Sequence, residues 1–165
     1  MGKCLENNDW DCIRLDLDKR PIESISGKSS EQDILNILSK YGIMFLSDQK
    51  VQITLWGSGN VYREFLYVED MADACVYIIE NVEMDTLYKN YKLGFINIGS
   101  GKDITIKELA YLVQTIVGFK GHIMWNIEKP DGTPKKLMDS SLLENLGWHH
   151  KVQLPEGISS IYQNY

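Results

Sequence analysis

The chain predicts an α/β fold, and three observations carry that prediction. Val51, Ile53 and Leu55 alternate with polar neighbours, and Ile123 to Ile127 form a second short apolar run, so both read as strands. Between them stand two helical stripes, Met71-Ala74-Cys75-Ile78-Ile79-Val82 and Ile106-Leu109-Ala110-Val113-Ile116-Val117. Glycine turns, Gly57-Ser58-Gly59 and Gly99-Ser100-Gly101, punctuate the passages between them. Strands alternating with helices are the signature of the α/β class.

Bulk composition narrows the function classes. A chain of 165 residues suffices for one core, and 44% hydrophobic with 24% charged residues is ordinary for a globular domain. A net charge of −6 argues against general binding to nucleic acid or to acidic membranes, so an anionic ligand needs a local Arg/Lys cluster. Cys4, Cys12 and Cys75 are an odd number with no C-x-x-C pair, which favours a reducing cytoplasm over a disulfide framework. Cys75 lies on the helical stripe and is expected to be a buried thiol. No segment has the length and apolarity of a membrane span or a signal peptide.

Residues 1–47 read as a polar leader with one short helix, and residues 48–165 as an α/β half-domain. Residues 1–27 give only weak helical and alternating signals. Ser30 and Asp33 then cap a helix through Ile34, Leu35, Ile37, Leu38 and Tyr41, which Gly42 ends. After the Val51 strand, Arg63 to Tyr67 is a second extended piece. Glu69 and Asp70 supply negative charge to the first turn of the next helix. Asp73 shares its spacing, and the pair reads as a solvated or cap-side acidic face. Glu83 to Leu93 reads as a polar connection, and Phe95, Ile96 and Ile98 as a short buried strand. Thr105 and Glu108 form a capping box, and Gly118 ends the helix that follows. A short helix through Leu142, Leu143 and Leu146 stops at Gly147. Pro155 suits the first turn of a closing helix carrying Ile158, Ile161, Tyr162 and Tyr165.

Several chemical motifs fail on inspection. Gly99-x-Gly101 follows a strand and precedes a helix, but Ile104 occupies the third position of a dinucleotide fingerprint, where close packing wants glycine. Ile96 and Asp103 likewise break a P-loop. Tyr88-x-x-x-Lys92 has the spacing that lets a cation lower a phenol pKa, but it falls in the polar connection. His149 and His150 are adjacent and diverge on any regular element, so with Trp148 they read as packing. Cys4 and His122 have no visible partner for nucleophilic chemistry. No catalytic and no metal-ligating residues are assigned.

Four residues remain as candidate ligand contacts. Trp56 ends a strand beside glycines, where its indole either stacks on a ligand or fills the core. The planar fork of Arg63 suits a diphosphate, the alternative being an ion pair with Glu64 or Glu69. Asp131, in a loop stiffened by Pro130 and Pro134, either accepts from sugar hydroxyls or belongs to a charged surface turn. In the first of these readings Lys135 or Lys136 faces phosphate.

From Val51 to Tyr165 the chain resembles the GDP-L-fucose synthase family of extended short-chain dehydrogenases. Trp56-Gly57-Ser58-Gly59, Arg63-Glu64-Phe65-Leu66, Ile96-Asn97-Ile98-Gly99-Ser100-Gly101 and Lys129-Pro130-Asp131-Gly132-Thr133-Pro134 carry the resemblance. The leader is similar to an insertion in one bacterial subgroup. The resemblance implies the C-terminal substrate-binding part of such an enzyme plus the last elements of its Rossmann domain. It implies that Trp56, Arg63 and Asp131 contact a GDP-sugar, with Lys136 an addition. The parent reaction is NADPH-dependent 3,5-epimerisation and 4-reduction of GDP-4-keto-6-deoxy-D-mannose to GDP-L-fucose. Val61 stands where the family has proline, and Tyr67 where histidine is common, which leaves the contact residues untouched. The family's glycine-rich cofactor loop and its Ser, Tyr, Lys, Cys and His have no counterpart here. The expectation is therefore a truncated fragment, inactive alone, that binds a GDP-sugar but not NADP. Two alternatives remain: a fragment of a related sugar-nucleotide epimerase or reductase, and a non-catalytic assembly half-domain. Self-association, or association with the missing cofactor-binding half, is expected in either case.

Overall fold

The structure is a computed structural model that describes residues 1–46 and 50–164. Tyr165, assigned above to the closing helix, and the boundary expected between residues 47 and 48 lie outside the described residues. The chain divides into two compact units. One comprises Met1–Gly59 and Val117–Asp131, the other Asn60–Ile116 and Gly132–Tyr165.

The first unit is built on the leader. Helices α1 (Gly2–Glu6), α2 (Trp10–Lys19) and α3 (Glu31–Lys40) precede a sheet of β1 (Ile43–Phe45), β2 (Val51–Trp56) and β5 (His122–Asn126). Asp9 caps α2 by accepting from the Cys12 N–H at 2.9 Å, and Ser30 caps α3 by accepting from the Asp33 N–H at 3.2 Å. Arg14 Nη1 donates to the carbonyls of Gly27 (2.6 Å) and Ser29 (2.9 Å), which ties the connecting loop to α2. Leu5, Ile13, Leu17, Ile34, Leu38, Val51 and Phe119 form one buried cluster. Five of these seven come from the leader, so it is core rather than a polar appendage. Its weak signal has a physical cause: α2 buries only Ile13 and Leu17, one residue per turn, between exposed acids.

Strand β2 runs antiparallel to β1, with Ile43 opposite Ile53, and parallel to β5, with Gln52 opposite His122 and Trp56 opposite Asn126. The β1 strand was not anticipated; three residues are too few to show a period of two. Cys4 and Cys12 are paired as a disulfide with Cα atoms 6.1 Å apart, a pairing that the cysteine spacing did not predict.

The second unit holds a small sheet ordered β4 (Asp103–Thr105), β3 (Tyr62–Glu64), β6 (Lys135–Lys136). Strand β3 is antiparallel to β4 and parallel to β6. With it go α4 (Val68–Asn81), α5 (Met84–Tyr91), α7 (Ser141–Asn145), α8 (Leu154–Gln163) and all but the last residue of α6 (Ile106–Val117). The Thr105–Glu108 capping box is present in both directions, with Glu108 N–H to Thr105 Oγ1 at 3.1 Å and Thr105 N–H to Glu108 Oε2 at 2.9 Å.

Helix α4 is rotated from its expected orientation. Asp70 and Ala74 are its buried residues, whereas Cys75 is exposed and Ile79 is 82% exposed. Asp70 is thus not a solvated acid: its Oδ2 accepts from the N–H groups of Lys151 (3.2 Å) and Val152 (2.9 Å). Asp73 accepts from Trp148 Nε1 at 2.9 Å and from Lys151, and Tyr77 donates to the Leu146 carbonyl at 2.5 Å. Residues 70, 73 and 77 lie on one helix face. This polar stripe seats Trp148, which packs with Ala74 and Leu143. The expected polar connection at 83–93 is instead helix α5, anchored by buried Leu87. Residues 95–98 form no ladder among the described residues, and Phe95 is 62% exposed.

Replacing leader residues tests whether they carry the first unit. Leu17→Ala or Ile34→Ala is expected to cost about 2–5 kcal/mol in chemical denaturation. Leu15→Ala, at a side chain 58% exposed, should change stability by less than about 0.5 kcal/mol. Equal effects at Leu15 and Leu17 would contradict this packing.

Candidate functional site

In the first unit, β2 and β5 run in the same direction, so the turn after Trp56 and the loop after Asn126 leave from matching strand ends. Gly57 N–H donates to the Asn126 carbonyl at 2.9 Å and extends the pairing by one rung. Asp131 then joins the two loops. Its Oδ1 accepts from the Ser58 N–H at 2.8 Å and its Oδ2 from the Ser58 hydroxyl at 2.6 Å. These bonds, the hydroxyl first, hold the Asp131 carboxyl below the usual aspartate range. Gly57 has φ +79°, and a Cβ there would lie 2.4 Å from Asp131 Oδ1, so only glycine permits this approach.

Trp56 itself is 75% exposed, which removes the core-filling alternative. Lys129 Nζ stands 5.4 Å from its ring centroid. The unit therefore presents an open indole with a cation over it, beside a carboxylate already bonded through both oxygens.

In the second unit, Arg63 sits at the centre of β3. Its Nη1 donates to the carbonyls of Tyr62 (2.5 Å) and Thr133 (2.7 Å). Among the described residues it forms no ion pair, so the alternative partnership with Glu64 or Glu69 is not made. The reason is strand geometry: Arg63 and Glu64 are consecutive and point to opposite faces. The Glu64 carboxylate instead accepts from Gly101 N–H (2.7 Å), the Ser100 hydroxyl (3.3 Å) and Met138 N–H (3.2 Å). In β6, Lys135 pairs with Asp103 at 3.0 Å and lies 5.7 Å from the Tyr62 ring centroid, whereas exposed Lys136 is the register partner of Arg63. Of the two lysines, only Lys135 pairs with a carboxylate among the described residues.

The Gly99-Ser100-Gly101 turn does not fit a dinucleotide pyrophosphate. The Gly101 N–H that would face a phosphate is donated to Glu64, and a Cβ on Gly99 would lie 2.5 Å from Glu64 Oε1. A carboxylate thus fills the place where an anion would bind. Tyr88 and Lys92 are on and just beyond α5, with Lys92 Nζ 5.8 Å from the Tyr88 ring centroid. Among the described residues no group of His, Cys, Asp and Glu would hold a metal.

The structure places Trp56 with Asp131 in one unit and Arg63 with Lys136 in the other. Ser58 and Thr133 bond the candidate residues Asp131 and Arg63, Glu64 follows Arg63 in β3, and sequence reasoning singled out none of the three as a site residue. Ser58 and Thr133 act through partners about seventy residues away, which no local pattern shows. Glu64 did carry a signal: strand alternation sets it on the face opposite Arg63.

The family model described as "NAD dependent epimerase/dehydratase family" matches residues 23–94. A putative GDP-L-fucose synthase 2 of Arabidopsis thaliana is 49% identical over 114 residues, 69% of this chain and 32% of that protein. Two crystal structures from Campylobacter jejuni align over nearly the whole chain. A GDP-6-OMe-4-keto-L-xylo-heptose reductase superposes with TM-score 0.85 at 35% identity, covering 99% of this chain and 44% of that one. A GDP-D-glycero-L-gluco-heptose synthase, crystallised in the presence of NADPH, gives TM-score 0.82 at 34% identity, covering 98% and 43%. The chain spans about a third of the curated relative and under half of the solved ones. On sequence and on fold together, the chain is similar to GDP-L-fucose synthases and GDP-sugar reductases, and its residues 23–94 match the epimerase/dehydratase family model.

Proposed function

We propose that this chain binds a GDP-sugar and supplies the sugar-nucleotide-binding part of a GDP-L-fucose synthase-type epimerase and reductase. Arg63 carries the reading. Its guanidinium is oriented by two main-chain carbonyls, and among the described residues no carboxylate pairs with it. Its charge and remaining donors suit a diphosphate, which takes paired, charge-assisted bonds. Lys136 adds a second cation in register with it. In the other unit, exposed Trp56 offers a stacking face for a base or sugar. Asp131, with acceptor capacity left beyond its two bonds to Ser58, serves the sugar hydroxyls. The parent chemistry in this reading is NADPH-dependent epimerisation and 4-reduction of GDP-4-keto-6-deoxy-D-mannose. NADPH would supply the hydride, and none of this chain's residues is assigned to hold it. A homo-oligomer, or a complex with a cofactor-binding half, is part of the same proposal.

A second reading has its own support. The Arabidopsis match spans 69% of the chain, whereas the C. jejuni GDP-heptose enzymes align over 98–99% of it, which takes in α1 to α3. In this second reading the sugar is a heptose rather than a deoxyhexose, and both readings share the GDP-diphosphate contacts.

Adding GDP-fucose at millimolar concentration should raise the thermal midpoint, and Arg63→Ala should abolish the rise. No shift in the wild-type chain would sink the GDP-sugar reading. Competition by GDP-heptose, GDP-fucose and UDP-sugars ranks the two readings, and a preference for UDP would contradict both. The Asp131 bonds have an acid signature. Because its folded pKa is depressed, its contribution is full above the ordinary aspartate value and is lost as pH falls through the folded value. Carboxyl NMR titration should show Asp131 below the usual range, with Ser58→Ala moving it upward. A normal midpoint in the wild-type chain would show that the Ser58 bonds do not hold in solution.

A further inference from the structure

Strand β6 is two residues long, and both are exposed. Its ladder with β3 consists of Tyr62 opposite Lys135 and Arg63 opposite Lys136, and there the pairing ends. A pair so short has little stability of its own. The next interaction along this edge is not a backbone rung. Met138 N–H donates to Glu64 Oε2 at 3.2 Å, so a side chain continues where the ladder stops. The other oxygen of the same carboxylate accepts from Gly101 N–H at 2.7 Å and from the Ser100 hydroxyl at 3.3 Å. Ser100 is buried, and Gly99 lacks the Cβ that would reach within 2.5 Å of Glu64 Oε1. One carboxylate therefore ties three separate stretches together: β3, the 99–101 turn and the segment following Lys136. Charge-assisted bonds to main-chain donors are strong enough to set such a register.

We infer that Glu64 is a positioning residue that fixes Lys136 in register with Arg63 for the ligand diphosphate, acting through the Met138 N–H and the 99–101 turn. This rests on the GDP-sugar reading above. Glu64 need not touch the ligand. Strand alternation turns it away from the face of Arg63, and its oxygens are occupied by protein donors. Its own negative charge is spent on those donors and not on Arg63 or Lys136, which leaves both cations available to an anion. Neither family resemblance nor strand pattern assigns Glu64 this part.

The test uses the whole chain with GDP and GMP as probes. Glu64→Gln keeps the shape but presents an amide in place of one oxygen, so one of the two main-chain anchors is lost. Gly99→Ala leaves the carboxylate chemically intact and displaces it. Each variant should weaken GDP binding by about tenfold by calorimetry. GMP, which lacks the second phosphate, should lose much less. The GDP-to-GMP affinity ratio is the readout that general loosening would not move. Ligand-free hydrogen exchange should become faster at residues 135–138 in both variants. Wild-type binding of GDP with an unaltered ratio in a folded Glu64→Gln chain overturns the inference alone. Failure of the wild-type chain to bind GDP overturns the GDP-sugar reading, and the inference with it. Should Glu64→Gln fail to fold, Gly99→Ala decides by the same ratio.

Discussion

The parallel pairing of β2 with β5 is the constraint on which the rest depends. Two neighbouring strands running in one direction cannot be joined by a tight turn, so the chain must leave after Trp56 and return before His122. It spends that excursion on most of the second unit. The same pairing puts the ends of β2 and β5 side by side, so the 57–59 turn and the 127–131 loop start as neighbours. Asp131 then needs only local reach to bond Ser58 twice. In open α/β sheets the carboxyl ends of parallel strands are where ligands are met, because there the loops are free to vary while the strands beneath them are held. Trp56 stands at such an end.

Two carboxylates perform similar tasks in the two units, and neither does so by ion pairing. Asp131 holds the turn beside Trp56, and Glu64 holds the segments beside Arg63 and Lys136. Both spend their charge on main-chain N–H groups and hydroxyls. The consequence is electrostatic. A carboxylate paired with a cation leaves little field for a ligand, whereas one bonded to neutral donors leaves the cations unspent. In a chain of net charge −6, that arrangement permits a local positive site within an overall negative field. Lys135 shows the contrast, since Asp103 takes it and its exposed neighbour Lys136 remains.

What was legible in the sequence was whatever a period or a cap could encode. The Ser30 and Thr105 caps, the β2 and β5 strands and the closing helix begun at Pro155 all follow from local rules, and each is present. What was not legible depended on distant partners. The α4 stripe was misassigned because Asp70, Asp73 and Tyr77 look like a wet face until the 146–152 segment supplies their donors and acceptor. Helix α5 escaped because a single buried Leu87 gives no periodicity. The roles of Trp56 and Arg63 were open between two readings in each case. Exposure of Trp56 removes the core-filling alternative, and among the described residues Arg63 forms no ion pair. For Asp131 the structure added a role, that of tying two loops together, which spacing alone does not reveal.

The leader links stability to the site strand. Val51 opens β2 and is fully buried in a cluster whose other members are four residues from α2 and α3, one from α1 and Phe119 at the approach to β5. Without those helices, Val51 and Phe119 would face water at the end of the sheet opposite Trp56. A six-residue strand transmits such a loss directly, because its register with β5 is also what brings Ser58 to Asp131. Alignment of the C. jejuni GDP-heptose enzymes across these helices is then not incidental to the fold. The leader forms the floor beneath β2, and the geometry around Trp56 at the far end of that strand rests on it.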